Sequence, residues 1–153
     1  MQPCSYATVD LLPHKPPMVL IDAVRAWGEG RLEATVAVRP GISFFVPEQG
    51  VPAYVGMEYM AQACGAYAGL QAMAAGEPVR VGLLLGTRRY LAQVGWFEPG
   101  QALDIKIVEL FRDGSIGMFD CRIEHEGRTL ATAQLSVYLL EPGAPLPGPA
   151  ADE

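Results

Sequence analysis

The sequence predicts an α+β fold in which a curved antiparallel sheet wraps around one long central helix. Three observations carry that prediction. The segment from Tyr59 to Gly76 holds no charged residue and is apolar or neutral on every helical face, so a helix built from it has to be surrounded. No second long helix is available to surround it, and the segments on either side alternate apolar and polar residues with the period of strands. At 153 residues the chain has room for one core, which leaves the sheet as the only cover for the helix.

Taken in order, the elements begin after a Pro-rich entry at Pro13, Pro16 and Pro17. Met18 to Ala26 is rich in aliphatic and β-branched residues and leads to a Gly28-Glu29-Gly30 turn signal, which reads as a strand. Leu32, Ala34 and Val36 alternate with Arg31, Glu33 and Thr35, a second strand with one wet face that completes a hairpin. Pro40 and Gly41 break it, and a loop through Phe44, Phe45, Pro47 and Gly50 leads to Pro52 and a helix over Ala53 to Ala75, ended by Gly76 and Pro78. Strands are expected at Val79–Leu85, at Arg88–Trp96 and around Leu103-Ile105-Ile107. Asp113-Gly114 then turns the chain into Ser115–Glu124, and His125-Glu126-Gly127-Arg128 turns it into Thr129–Leu140. Residues 1–140 read as the domain, and the Pro-rich stretch 141–153 as a flexible tail. A small curved sheet has open edges, so a dimer is expected.

Charge and cysteine content narrow the function classes. Eleven Lys and Arg against seventeen Asp and Glu give a net charge of −6, which argues against a nucleic acid or an anionic membrane as partner. The three cysteines, Cys4, Cys64 and Cys121, are odd in number and show no metal or dithiol spacing, and the first residues carry no basic cluster followed by an apolar run. A cytoplasmic location fits. No Gly-rich phosphate loop, zinc spacing or G-x-S-x-G elbow occurs, so chemistry without metal or cofactor is expected.

Glu58 stands out because, apart from Glu48, it is the only charged residue between Arg39 and Glu77. Enclosed in the helix environment, a carboxyl group is pushed toward its protonated form and becomes a proton donor near neutral pH; capping the helix start is the alternative left open. Gln62 lies one turn on and faces the same way, within reach of that carboxyl group or a ligand, while Gly65, Ala66 and Gly69 keep the face low. The N–H groups near Ala53 and Tyr54, at the helix start, are suited to hold a carbonyl oxygen as charge builds on it.

Met57-Glu58-Tyr59-Met60-Ala61-Gln62-Ala63-Cys64-Gly65 resembles the central helix of the hotdog-fold 3-hydroxyacyl-acyl-carrier-protein dehydratases. Leu12-Pro13-His14-Lys15-Pro16-Pro17-Met18-Val19-Leu20-Ile21-Asp22 is similar to that family's N-terminal segment, Phe44-Phe45 to its aromatic pair, and Gly86-Thr87-Arg88-Arg89 with Phe97-Glu98-Pro99-Gly100-Gln101 to its later strand and turn. The resemblance implies a hotdog fold and removal of water from a 3-hydroxyacyl chain carried as a thioester. In such sites a histidine takes the proton alpha to the carbonyl and a helix carboxylate from the other subunit protonates the departing hydroxyl. Glu58 falls on the carboxylate position and Ala53 where the family has the glycine that binds the thioester oxygen.

The family's base sits in a Gly-His-Phe-Pro turn, whereas this chain reads Val46-Pro47-Glu48-Gln49-Gly50 and has no histidine between His14 and His125. Glu48 takes roughly the lost place and is a weaker base; His14, between prolines, is a candidate contact to substrate or a part of a rigid entry segment, and His125 is expected in solvent. The pattern resembles the dehydratase-like subunits of aryl polyene biosynthesis, which implies a half-site whose histidine comes from a sister subunit. A homodimer remains open. Lys15, Arg80, Arg88 and Arg89 are candidates for docking an acidic acyl carrier protein. A hotdog thioesterase using Glu58 and a noncatalytic acyl-binding subunit are the alternative functions.

Overall fold

The computed structural model describes residues 1–12, 17–80 and 82–140. The Pro-rich stretch 141–153 read as a tail therefore lies outside the described residues, as do His14 and Lys15. In chain order the elements are β1 (Gln2–Pro3), α1 (Thr8–Leu11), β2 (Ala23–Gly28), β3 (Arg31–Ala37), β4 (Val51–Pro52), a 3-10 turn (Ala53–Val55), α2 (Gly56–Ala74), β5 (Gly82–Ala92), β6 (Trp96–Phe97), β7 (Ala102–Asp113), β8 (Ile116–His125) and β9 (Arg128–Leu139). Seven strands form one antiparallel sheet in the order β1-β2-β3-β7-β8-β9-β5, and β4 pairs with β6 apart from it.

The sheet curls around α2 because one face of each central strand is apolar. Leu32, Ala34 and Val36 of β3 stand opposite Ile107, Ile105 and Leu103 of β7, and β8 and β9 add Phe119, Cys121, Ile123, Ala133, Leu135 and Val137. Against that face α2 buries Tyr59, Met60, Ala63, Cys64, Ala66, Tyr67 and Leu70. The alternating residues Arg31, Glu33 and Thr35 look outward, as the period-two pattern requires.

Enclosure of α2 is incomplete, which corrects the expectation from its composition. Glu58, Ala61 and Gly65 stay half-buried, and they lie three and seven residues apart, on one strip of the helix. The sheet ends at β5, and the strip is what its last strand leaves uncovered.

Other boundaries move for identifiable reasons. The strand read over Met18–Ala26 begins only at Ala23, since backbone groups of Met18 and Leu20 are bonded to the Gln62 side chain. The two strands read as Val79–Leu85 and Arg88–Trp96 are a single β5 with irregularities between Leu84 and Gly86 and between Arg88 and Leu91, the second containing Arg89 in the left-handed region at φ 52. The one-turn helix α1 is not evident in the sequence. It lies on α2 at Gly69, where any side-chain carbon would overlap the Leu11 carbonyl oxygen; Gly69 serves helix packing and leaves no open path there.

Candidate active site

A cavity of about 150 Å³ lies along the uncovered strip. Glu58, Ala61, Gln62 and Gly65 of α2 form one wall; Gly82 and Leu84 of β5 and Val137 of β9 form the other. Gly82 and Leu84 pair with Leu139 and Val137 and so share the inward face of the sheet. The small residues Ala61, Gly65 and Gly82 keep the slot open, and Leu84, 46% exposed, gives it an apolar side.

Glu58 sits in the first turn of α2. Its Oε1 accepts a hydrogen bond of 3.4 Å from Gln62 Nε2. Gln62 itself is 1% exposed and is held more tightly elsewhere: its Oε1 accepts from the Leu20 N–H at 2.7 Å and its Nε2 donates to the Met18 carbonyl at 2.7 Å. Both ends of this amide are committed, so it positions the Met18–Leu20 segment and the Glu58 carboxyl group.

The structure does not give Ala53 the role expected from its place in the chain. The β4–β6 ladder runs on through it, with the Ala53 N–H donating to the Gly95 carbonyl at 3.0 Å. Its own carbonyl accepts from the Tyr90 hydroxyl. Tyr54 is 66% exposed, and among the described residues its N–H makes no hydrogen bond beyond its own turn. Tyr90 and Gly56, neither singled out by the sequence, fix this corner: a side-chain carbon on Gly56 would overlap the Tyr90 hydroxyl and crowd Ile123 and Phe97. A hydroxyl on a strand residue that faces a helix start was the available signal.

Glu48 is not brought to Glu58. It stands exposed at the tip of a tight turn closed by Val46 and Gly50, whose N–H groups each bond the other's carbonyl at 2.7 and 2.9 Å, and its φ is 69°. His125 also lies off the cavity. It is half-buried at the end of β8, with Nδ1 3.0 Å from the Ala102 carbonyl oxygen, rather than free in solvent. No histidine among the described residues lines the slot beside Glu58.

Of the basic candidates, Arg80 is engaged with the Leu140 and Leu139 carbonyls and Ser115 Oγ, a strand-end brace instead of a docking group. Arg88 and Arg89 are exposed on β5 and make no ion pair among the described residues. Cys64 is a core residue: its Sγ lies 3.9 Å from that of Cys121, and burial, with the neighbouring thiol, pushes it well above the usual thiol range. No helix among the described residues is long and apolar enough to cross a membrane.

Comparison with known proteins agrees with this geometry. One chain of the dehydratase heterocomplex ApeI:P from Xenorhabdus doucetiae is 29% identical, with 90% of this chain and 93% of that one covered at a TM-score of 0.85. A hypothetical thioesterase with coenzyme A from Streptococcus pneumoniae TIGR4 (14% identity, 77% and 84% covered, TM-score 0.60) and the E. coli PaaI protein from the phenylacetic acid degradation operon (13%, 75% and 80%, 0.60) share the hotdog fold. No curated protein matches the chain. A family model, ApeP-like, described as the ApeP dehydratase, matches residues 6–144. With that match over nearly the whole domain, and a single acidic side chain in a narrow apolar slot, the chain belongs to the ApeP-like dehydratase family.

Proposed function

We propose that this chain is the glutamate-bearing half of a 3-hydroxyacyl thioester dehydratase, completed by a histidine-bearing hotdog subunit. The observation that carries the reading is the slot itself, which holds Glu58 and, among the described residues, no histidine. The similar structure is described as a heterocomplex, which supports a partner other than a second copy. The substrate is an acyl chain on an acyl carrier protein, the site is in the cytoplasm, and no cofactor is needed.

In this mechanism the partner's histidine takes the proton from C2 while the C3–O bond breaks. The electrons of the C2–H bond form the double bond, and the hydroxyl leaves as water with the Glu58 proton. Gln62 keeps the carboxyl group turned into the slot. The helix start at Ala53 and Tyr54 lies toward the thioester oxygen; with the Ala53 N–H occupied, Tyr54 is the group left to face it. Lys15, Arg88 and Arg89 serve the acidic carrier and His14 contacts the substrate, while Glu48 takes no part in proton transfer.

The test is turnover of a 3-hydroxyacyl carrier thioester by the chain purified with such a subunit. Loss of water without thiol release is expected, and Glu58→Gln should lower kcat by roughly 10²–10⁴-fold, the usual weight of a general acid. Thiol release from both 3-hydroxyacyl and saturated thioesters would make it a thioesterase. An unchanged rate in Glu58→Gln would leave this chain a noncatalytic acyl-binding subunit.

A further inference from the structure

We infer that α1 is the end wall of the acyl slot, so that Leu12 and Gly65 set the longest chain the site accepts; this rests on the dehydratase reading above for the nature of the substrate. From Glu58 to Gly65 the slot runs along α2 for seven residues, about 10 Å at 1.5 Å per residue. Its walls on this stretch are small on the helix side, Ala61 and Gly65, and apolar on the strand side, Leu84 and Val137. Among the described residues the only polar side chains on it are Glu58 and Gln62, so the rest of its side-chain lining suits a hydrocarbon chain.

The path stops abruptly. Among the described residues, a side-chain carbon placed on Gly65 would meet one neighbour, Leu12 Cδ2, at 3.2 Å, so that leucine stands over the Gly65 end of the slot, just beyond the residues that line it. Leu12 is 5% exposed and Leu11 is fully buried, so both are held by packing. One helical turn further, the backbone carbonyl of Leu11 rests on Gly69. Main chain blocks the way there, and main chain does not swing aside as a side chain does. A chain whose C3 hydroxyl is at Glu58 therefore extends toward Gly65 and ends against Leu12.

Two substitutions push the limit in opposite directions. Leu12→Ala removes the wall and lengthens the slot, while Gly65→Ala puts a methyl into it and shortens it. The measurement is binding of saturated acyl-pantetheine thioesters of graded length to the complex with the histidine-bearing subunit, followed by native mass spectrometry, with dehydration of the matching 3-hydroxyacyl series as second readout. A methylene gained or lost in an apolar pocket changes discrimination about tenfold or more, so the length preference should move up by one or more carbons in Leu12→Ala and down in Gly65→Ala. Circular dichroism on each variant separates a moved preference from a lost fold. If both variants are folded and keep the parent's length profile, α1 is not the end wall. If the binding profile moves but no member of the series loses water, the wall stands and the dehydratase reading falls.

Discussion

At the scale of single residues, the site is organised by hydrogen bonds that span the chain. Gln62 was legible as a partner for Glu58, since residues four apart share a helix face. Its stronger bonds, to Leu20 and Met18, join positions 42 and 44 residues apart, and no local pattern announces them. Gln62→Leu should cost about 1–3 kcal/mol, the penalty of leaving the buried Leu20 N–H without an acceptor, measured as a lowered urea midpoint. An unchanged midpoint would mean that the Met18–Leu20 segment is not anchored by this amide. The tyrosines make a second, pH-dependent prediction. Burial, with the Asp22 charge as a smaller cause, raises Tyr59 from 10.0 to about 12, and burial raises Tyr90 to about 12. Unfolded, both lose their protons near 10. The stability they contribute is thus fully present below pH 10 and is lost as pH rises toward 12. A tyrosinate absorbance titration should show these two ionising last, along with alkaline unfolding. Were every tyrosine to ionise near 10 in a chain still folded by circular dichroism, the two would not be buried as phenols.

At the scale of elements, the reading from sequence succeeded where periodicity is strong and failed where one element's backbone is used by another. The alternation in β3 and β7, the Asp113-Gly114 turn and the uncharged stretch of α2 all identify their elements, because each pattern is set by burial on one face. The late start of β2 and the union of two expected strands into β5 depend on the Gln62 bonds and on two irregularities paired against β9. The short helix α1 has no such pattern, and it and Leu12 after it meet α2 at two glycines, Gly69 and Gly65. The contact at Gly69 reverses an ordinary rule. An interior helical glycine changed to alanine usually gains about 1 kcal/mol, but Gly69→Ala places a carbon on the Leu11 carbonyl oxygen, and overpacking of that kind costs about 1–3 kcal/mol. Urea denaturation should show Gly69→Ala less stable than the parent. A gain would indicate that α1 is free to lift from α2.

At the scale of the whole molecule, the two ends of the sheet differ in what their outer surfaces can do. Across β2, β3, β7 and β8 charged outward side chains pair with one another: Arg25 with Glu33 at 2.7 Å and Asp104 at 3.3 Å, and Glu124 with Lys106 at 3.0 Å and Arg122 at 2.6 Å. Val108, Leu110 and Phe111 of β7 and Ile116 of β8 are also exposed, and none of them lines the slot. Edge strand β5 has no such charge pairs among the described residues and lies against the slot. Leu84, Leu85 and Leu91 are 46%, 55% and 57% exposed on it, Arg88 and Arg89 beside them lack ion pairs among the described residues, and its outer backbone edge is unpaired in the sheet order. A long edge strand with exposed leucines invites another strand, and the slot with Glu58 opens along that same strand. A subunit seated on β5 would cover the leucines and bring its own side chains to Glu58, as the proposed half-site requires. Leu85→Lys tests this without disturbing the core, since Leu85 lies exposed at the irregularity between Leu84 and Gly86. Sedimentation velocity of the mixed subunits should show association weakened by about tenfold or more, as when a charge replaces a central interface side chain. Arg25→Ser, on the charge-paired side, should leave it unchanged. If Leu85→Lys associates like the parent while Arg25→Ser does not, the partner sits on the opposite end of the sheet, and Glu58 must find its base elsewhere.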